Sequence, residues 1–234
     1  MTIAPPVFNA PQPLKKVNYK IVPFGAGVSP NAAHCAALHS ELLPRSPLTK
    51  LGFGFMERFY YKILPKQGYI FGAIAYVDGH PAGFIAATYD SDGFLRRSVR
   101  HNLFRLAFLA ITMFPTPRRI EGGIEALGIF HTRESKGQED SDLTGEVLSI
   151  GVRKSFRSSD FKITTGIEIA QDLMHGAMDG FRRSNLNRVR LIVDANDIPT
   201  QGFYTRLGWR PRRRSVPGWL TPSTEFVWTP EKQN

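Results

Sequence analysis

Apolar positions along this chain recur with two periods, and the change between them marks out the elements. Val17–Val22 alternates loosely and predicts a first strand. Ser29-Pro30 reads as an N-cap followed by a first-turn proline, predicting a helix through about Leu43. Ser46-Pro47 repeats that signal. Behind it Leu48, Leu51, Phe55, Phe59 and Ile63 recur at helical spacing and give one core-facing stripe. Tyr69–Val77 and Ala82–Tyr89 are rich in β-branched, aromatic and small residues. Asp78-Gly79-His80-Pro81 between them predicts a hairpin, because glycine tolerates the positive φ of a tight turn.

Residues 91–144 are less orderly. An Arg-rich helix is expected over Phe94–Met113, stopped by Pro115-Thr116-Pro117. A short extended piece near Ile124–Phe130 and a polar loop at Lys136–Thr144 follow. Gly145–Val152 then reads as a buried strand, with Glu146, Leu148, Ile150 and Val152 on one side by simple alternation. After a short basic loop, Ile163, Ile167, Ala170, Met174, Ala177 and Phe181 predict one long amphipathic helix, with His175 off its stripe. Val189–Asp194 predicts another strand, and Asn196-Asp197-Ile198-Pro199 opens a last helix ending in Leu207-Gly208-Trp209.

Composition narrows the classes. A chain of 234 residues with 42% hydrophobic residues is long and apolar enough for one sizeable domain. The first sixteen residues, with four prolines, read as a flexible tail, leaving 17–230 as the domain. The net charge of +10 favours anionic partners. Cys35 is the sole cysteine, which precludes an intrachain disulfide or a cysteine zinc cluster and fits a reducing cytosol. The six histidines are dispersed, so no metal site is expected. The most apolar run, Leu103–Phe114, is too short to span hydrocarbon, which takes about 20 residues.

The run from Gly145 to Trp209, closing on Phe203-Tyr204-Thr205-Arg206-Leu207-Gly208-Trp209, resembles the GNAT superfamily of acetyl-CoA-dependent N-acetyltransferases. The element order agrees over most of residues 15–230. The resemblance implies an α/β (α+β) fold: a mixed, mostly antiparallel central sheet flanked by helices, with 91–144 as a helical insertion between the third and fourth strands.

It also implies a site. Backbone groups of Ile150, Gly151 and Val152 would hold the pantetheine arm of acetyl-CoA where two strands part, and an N–H there could stabilise an oxyanion. Arg157, Ser158, Ser159, Lys162, Ile163 and Thr164 match the pyrophosphate loop, although Asp160 and Lys162 stand where the family pattern has small residues. Asn196 or Asp197 would hold the cofactor arm. Tyr204 matches the tyrosine that faces the cofactor sulfur and would assist the departing thiolate. Glu146 matches the offset of a general base in some members. An amine with a pKa of about 10.4 needs such a base near neutrality. Tyr60, Tyr61, Tyr89 and the insertion would shape the acceptor pocket.

The activity so implied is direct acetyl transfer in a ternary complex to a primary amine, on a small molecule first and a protein second. Two other readings stay open: a GNAT-like protein without catalysis, suggested by the altered phosphate loop, and a nucleic-acid or anionic-membrane binder. The latter would use Arg96, Arg97, Arg100, Arg105, Arg210 and Arg212–Arg214. The apolar stretches at 48–64 and 103–114 could serve a homodimer.

Overall fold

A computed structural model describes residues 15–25, 27–91, 93–106, 145–184, 186, 188–214 and 222–230. Among these lie the strands β1 (Tyr19–Phe24), β2 (Phe71–Val77), β3 (His80–Thr88), β4 (Gly145–Val152), β5 (Val189–Asp194), β6 (Arg210–Arg214) and β7 (Ser223–Trp228). They form one sheet in the order β1-β2-β3-β4-β5-β7-β6. Every neighbouring pair is antiparallel except β4 and β5, which run parallel. The mixed, mostly antiparallel sheet implied by the resemblance is therefore present.

The helices are α1 (Ala32–Leu42), α2 (Pro47–Leu51), α3 (Phe53–Phe55), α4 (Ile63–Lys66), α5 (Phe94–His101), α6 (Ser159–Thr165), α7 (Ile169–Arg183) and α8 (Ile198–Arg206). On one face of the sheet α7 crosses β2, β3 and β4. Its Leu173, Met174, Ala177 and Phe181 share a core with Val147, Leu191, Val193, Tyr204, Trp209 and Phe226. On the other face α1 packs on β3 and β4, and its Leu38 joins Met56, Phe59, Ile74 and Phe84. Two apolar layers thus cover the sheet from both sides, which is what α/β packing requires.

The hairpin between β2 and β3 follows the expected chemistry. Asp78 and Gly79 have φ of 51° and 80°, and Val77 pairs with His80. A two-residue turn with both central residues left-handed suits the twist of the flanking strands.

Several helices differ from the sequence pattern. Asn31, not Ser29, caps α1 by accepting the His34 N–H, while the Ser29 hydroxyl donates to the Lys62 carbonyl. Ser46 does cap the next helix, but Gly52 with φ of 98° ends it after five residues. A π-helical stretch, Met56–Tyr60, follows α3, so the stripe from Leu48 to Ile63 is carried by broken pieces rather than one helix. The helix expected from Ile163 to Phe181 is likewise two helices, because Gly166 turns left-handed with φ of 72°. Ile163 is 77% exposed on α6 and contributes nothing to the stripe. The Arg-rich helix expected over Phe94–Met113 ends at His101, with Asn102 as its C-cap. Residues 107–113, the expected pieces at 115–117, 124–130 and 136–144, and tail residues 1–14 lie outside the described residues.

Candidate acyl-transfer site

The parallel contact between β4 and β5 is brief. Gly145, Glu146 and Val147 pair with Val189, Arg190 and Leu191, and the pairing goes no further. From there β5 continues along β7 to Asp194, while β4 continues along β3 to Val152. Leu148 marks the point of departure. Ala86 pairs with Ser149 and Ala87 with Val147, so two residues of β4 oppose one step of β3 at Leu148. Such a bulge bends a strand and increases its twist. The two strands thus part as a wedge whose β4 wall is Ser149, Ile150, Gly151 and Val152, and among the described residues no strand pairs with the β5 side of that wall.

The bulge also reverses the alternation. Val147, Ile150 and Val152 join the core beneath α7, whereas Leu148 packs with the α1 side and Gly151 lies against Leu42 and Phe84. The expected grouping of Glu146, Leu148, Ile150 and Val152 on one side is therefore incorrect. An inserted residue shifts every later side chain to the opposite face.

Tyr204 sits on α8 at 5% exposure, in the core that contains Val147 and Val152 of β4 and Val193 of β5. Its ring lies near Trp209 at 6.3 Å and Phe226 at 6.1 Å between centroids. Among the described residues, the buried polar atoms without a hydrogen bond are Trp209 Nε1 and the two Glu225 carboxylate oxygens. The Tyr204 hydroxyl is not one of them, and among the described residues no side chain or backbone group bonds it. Burial, with a smaller contribution from the Asp197 carboxylate, raises its pKa well above the usual phenol range. It stays protonated at neutral pH and can act as a hydrogen-bond donor.

Asn196 and Asp197 separate cleanly. Asp197 caps α8, accepting from the Thr200 N–H at 3.1 Å and the Thr200 hydroxyl at 2.7 Å. Asn196 is exposed, and only its backbone N–H is engaged, by Asp194 at 2.8 Å. Of the two, Asn196 has the side chain available to a ligand.

Glu146 is 3% exposed. Its Oε2 accepts from Arg190 Nε at 3.2 Å and Nη2 at 3.1 Å, and Arg190 is itself 1% exposed. Arg190 Nη1 also stands 3.8 Å from Glu225, and Arg212 stands 3.9 Å from the same carboxylate. Glu146 thus belongs to a charge network running across β4, β5, β7 and β6. A proton taken by Glu146 would neutralise the carboxylate that bonds the buried Arg190 guanidinium, which is costly in a low-dielectric interior. The general-base role implied by its offset would have to be exercised from within this ion pair.

Between β4 and α7 the chain forms a 3₁₀ turn, Lys154–Phe156, and then α6, docked through the Phe156–Phe161 ring contact at 5.5 Å. Arg157, Ser159, Lys162, Ile163 and Thr164 are exposed. Ser158 caps α6 through the Phe161 N–H, and Thr164 donates to the Asp160 carbonyl. The long helix starts at Ile169, with Glu168 at its N-cap and Lys162 Nζ 2.9 Å from the Glu168 carboxylate. The long helix is thus preceded directly by Gly166-Ile167-Glu168, and Arg157–Thr164 lie in the turn and short helix before them.

No family model and no curated relative matches the sequence. Solved structures do. NAA60 from Arabidopsis thaliana in complex with a bisubstrate analogue gives a TM-score of 0.52 at 16% identity, covering 92% of this chain and 100% of that one. The same protein with acetyl-CoA gives 0.50 at 16%, covering 91% and 98%. A GNAT-family acetyltransferase from Staphylococcus aureus gives 0.52 at 11%, covering 92% and 100%.

The chain has the GNAT fold.

Several residues of this GNAT fold meet partners that the sequence does not indicate. Arg190 interrupts the apolar run Val189–Val193, and a charge in the middle of a buried strand signals a buried partner. Arg153, at the end of the wedge wall, is held by Glu41 of α1 at 2.7 Å and donates to the Pro81 carbonyl at 2.7 Å. Tyr60 and Tyr61, expected at the acceptor pocket, are 4% and 0% exposed and belong to the core under α1; Tyr89 stacks on Phe71 at 4.1 Å. Among the described residues no cluster of three or more His, Cys, Asp or Glu could hold a metal, and no helix is long and apolar enough to cross a membrane.

Proposed function

We propose that this protein transfers an acetyl group from acetyl-CoA to a primary amine by direct attack in a ternary complex. The observation that carries the reading is the parting of β4 from β5 after Val147 and Leu191. Strands that leave paired register expose N–H and C=O groups, and an extended amide-bearing arm satisfies them as an added strand would. Pantetheine has that form. The likeness to a protein crystallised with acetyl-CoA supports the choice.

In this scheme Ile150, Gly151 and Val152 bond the pantetheine amides and a wedge N–H receives the thioester oxygen. The amine nitrogen attacks the carbonyl carbon, the C–S bond breaks, and the amine loses one proton while the sulfur gains one. Tyr204 donates a hydrogen bond to the departing thiolate; its raised pKa makes it a donor rather than a full proton source. Asn196 steadies the arm. Arg157, Ser158, Ser159, Lys162, Ile163 and Thr164 form the surface that the phosphates meet. Glu146 enters as the anion that fixes Arg190, so the amine proton leaves through solvent. The acceptor is a small-molecule amine in this reading, and the single cysteine goes with a cytosolic setting.

Glu168 favours a second reading, a GNAT-like protein that does not bind CoA. Its carboxylate stands at the α7 N-terminus, where a diphosphate would otherwise gain from the helix dipole. Titration calorimetry with acetyl-CoA separates the two, followed by free-thiol release across an amine panel with mass-spectrometric product identification. Saturable binding with amine-dependent thiol release is the expected result. No binding at millimolar acetyl-CoA would replace the first reading with the second.

A further inference from the structure

Behind the wedge, on the α1 side of the sheet, lies a buried polar chain that the proposed chemistry does not use. His39 of α1 is 0% exposed and contacts Tyr61 Oη through Nδ1 at 2.6 Å and Ser46 Oγ through Nε2 at 2.7 Å. Ser46 Oγ also contacts Thr49 Oγ1 at 3.1 Å, and Thr49 Oγ1 lies 2.8 Å from the Leu43 carbonyl. Every proton in this chain can be assigned by elimination.

A carbonyl oxygen only accepts, so the Thr49 hydroxyl must donate to Leu43. Its single hydrogen is then committed, and the Ser46 hydroxyl must donate to Thr49. Ser46 in turn has no hydrogen left for His39, so Nε2 carries one and donates to Ser46. The second Ser46 lone pair takes the Thr49 N–H at 3.1 Å. Neutral imidazole has one N–H, which leaves Nδ1 as the acceptor of the Tyr61 hydroxyl. The neutral form is the one the site suits. The groups around it are Tyr61, Ser46 and the Phe84 ring at 5.6 Å, with no carboxylate among its partners, and burial lowers the imidazole pKa to about 4.

The chain ends on elements that touch the wedge. Leu43 N–H bonds the His39 carbonyl at 2.8 Å, and the Leu43 carbonyl also accepts from the Ser46 N–H at 3.1 Å. Leu42, one residue earlier, lies against Gly151: a Cβ there would stand 2.9 Å from Leu42 Cδ1. Glu41 grips Arg153, and Phe84 beneath His39 pairs with Gly151 in the sheet.

We infer that His39 is a positioning residue. As a neutral imidazole protonated on Nε2, it closes a one-way hydrogen-bond chain that fixes the turn after α1 and, through Leu42 and Glu41, the β4 wall of the wedge. The effect on acetyl transfer rests on the proposed function, whereas the tautomer does not.

Two experiments test it. Long-range ¹H–¹⁵N NMR of the whole chain labelled at histidine should show His39 as the Nε2–H tautomer with Nδ1 unprotonated, unchanged from pH 8 to pH 5. An Nδ1–H tautomer, or an imidazolium at pH 6, overturns the inference. The second compares Ser46→Ala and His39→Gln with wild type, well below their melting temperatures. The expected result is a rise in KM for acetyl-CoA of about tenfold, with kcat changed far less, because a displaced wall weakens the thioester seat. The carboxamide of His39→Gln retains a donor towards Ser46 and should recover part of the loss seen in His39→Phe. Variants with lowered Tm but wild-type KM and kcat would overturn the positioning role. A wild-type chain that cleaves no thioester would instead sink the proposed function and leave the tautomer result standing.

Discussion

Tyr204 and His39 are both buried aromatic groups with polar atoms, and their surroundings give them opposite characters. The Tyr204 hydroxyl has no partner among the described residues, so Tyr204→Phe removes a donor without leaving a neighbour unpaired. With acetyl-CoA and a competent amine, turnover should fall by about 100-fold. The calorimetric Kd for acetyl-CoA should stay within about twofold; equal loss of both would contradict the role at the sulfur. His39 is fully partnered, and burial lowers its pKa from 6.5 to about 4. The unfolded chain therefore binds the proton more readily than the native one. The stability this histidine contributes is complete above pH 6.5, falls as pH drops towards 4, and levels off below. The unfolding free energy of wild type relative to His39→Phe, from urea titrations, should fall by roughly 3 kcal/mol across that window. A constant difference would mean that the imidazole is not held neutral. Only part of this was legible in sequence: the Phe-Tyr pair before Leu-Gly-Trp pointed to Tyr204, but nothing in one dimension joins His39 to Ser46 and Tyr61.

Strands and helices were legible to different degrees. Strand positions followed from local chemistry: the Asp-Gly turn set β2 against β3, and the apolar runs at 145–152 and 189–194 became β4 and β5 as read. Helix boundaries failed where a glycine took a left-handed conformation, at Gly52 and Gly166, because a periodic stripe continues through such a residue on paper. The bulge at Leu148 was invisible for a related reason. It is defined by register against β3, which is a relation between two segments. Close approach makes one glycine in the sheet indispensable. A Cβ on Gly72 of β2 would lie 1.9 Å from the Ile85 carbonyl oxygen of β3. Backbone cannot move aside as a side-chain tip can, so Gly72→Ala should destabilise the fold by about 3 kcal/mol in urea. A change under about 0.5 kcal/mol, as at an ordinary surface position, would contradict that approach.

Across the molecule, one ionic network ties together the two halves that the wedge divides. Glu146 stands on β4, Arg190 on β5, Glu225 on β7 and Arg212 on β6, and the pairing of β4 with β5 lasts only three residues. Glu146→Ala would leave Arg190 buried without the carboxylate that bonds it. The expected cost is about 3–5 kcal/mol, measured by chemical denaturation. Loss below about 1 kcal/mol would mean that solvent reaches the pair and that Glu146 is free to serve as a base after all.

The sequence by itself determined the strands β1 to β5, the capped starts of α2 and α8, and the aromatic run that carries Tyr204. Each is set by neighbours within a few residues, where periodicity, capping and turn chemistry act directly. Tertiary structure alone decided where β4 leaves β5, which face each residue after the bulge presents, and that Glu146 meets Arg190. Those outcomes depend on register and burial between segments tens of residues apart, and no local preference encodes a distance across the fold.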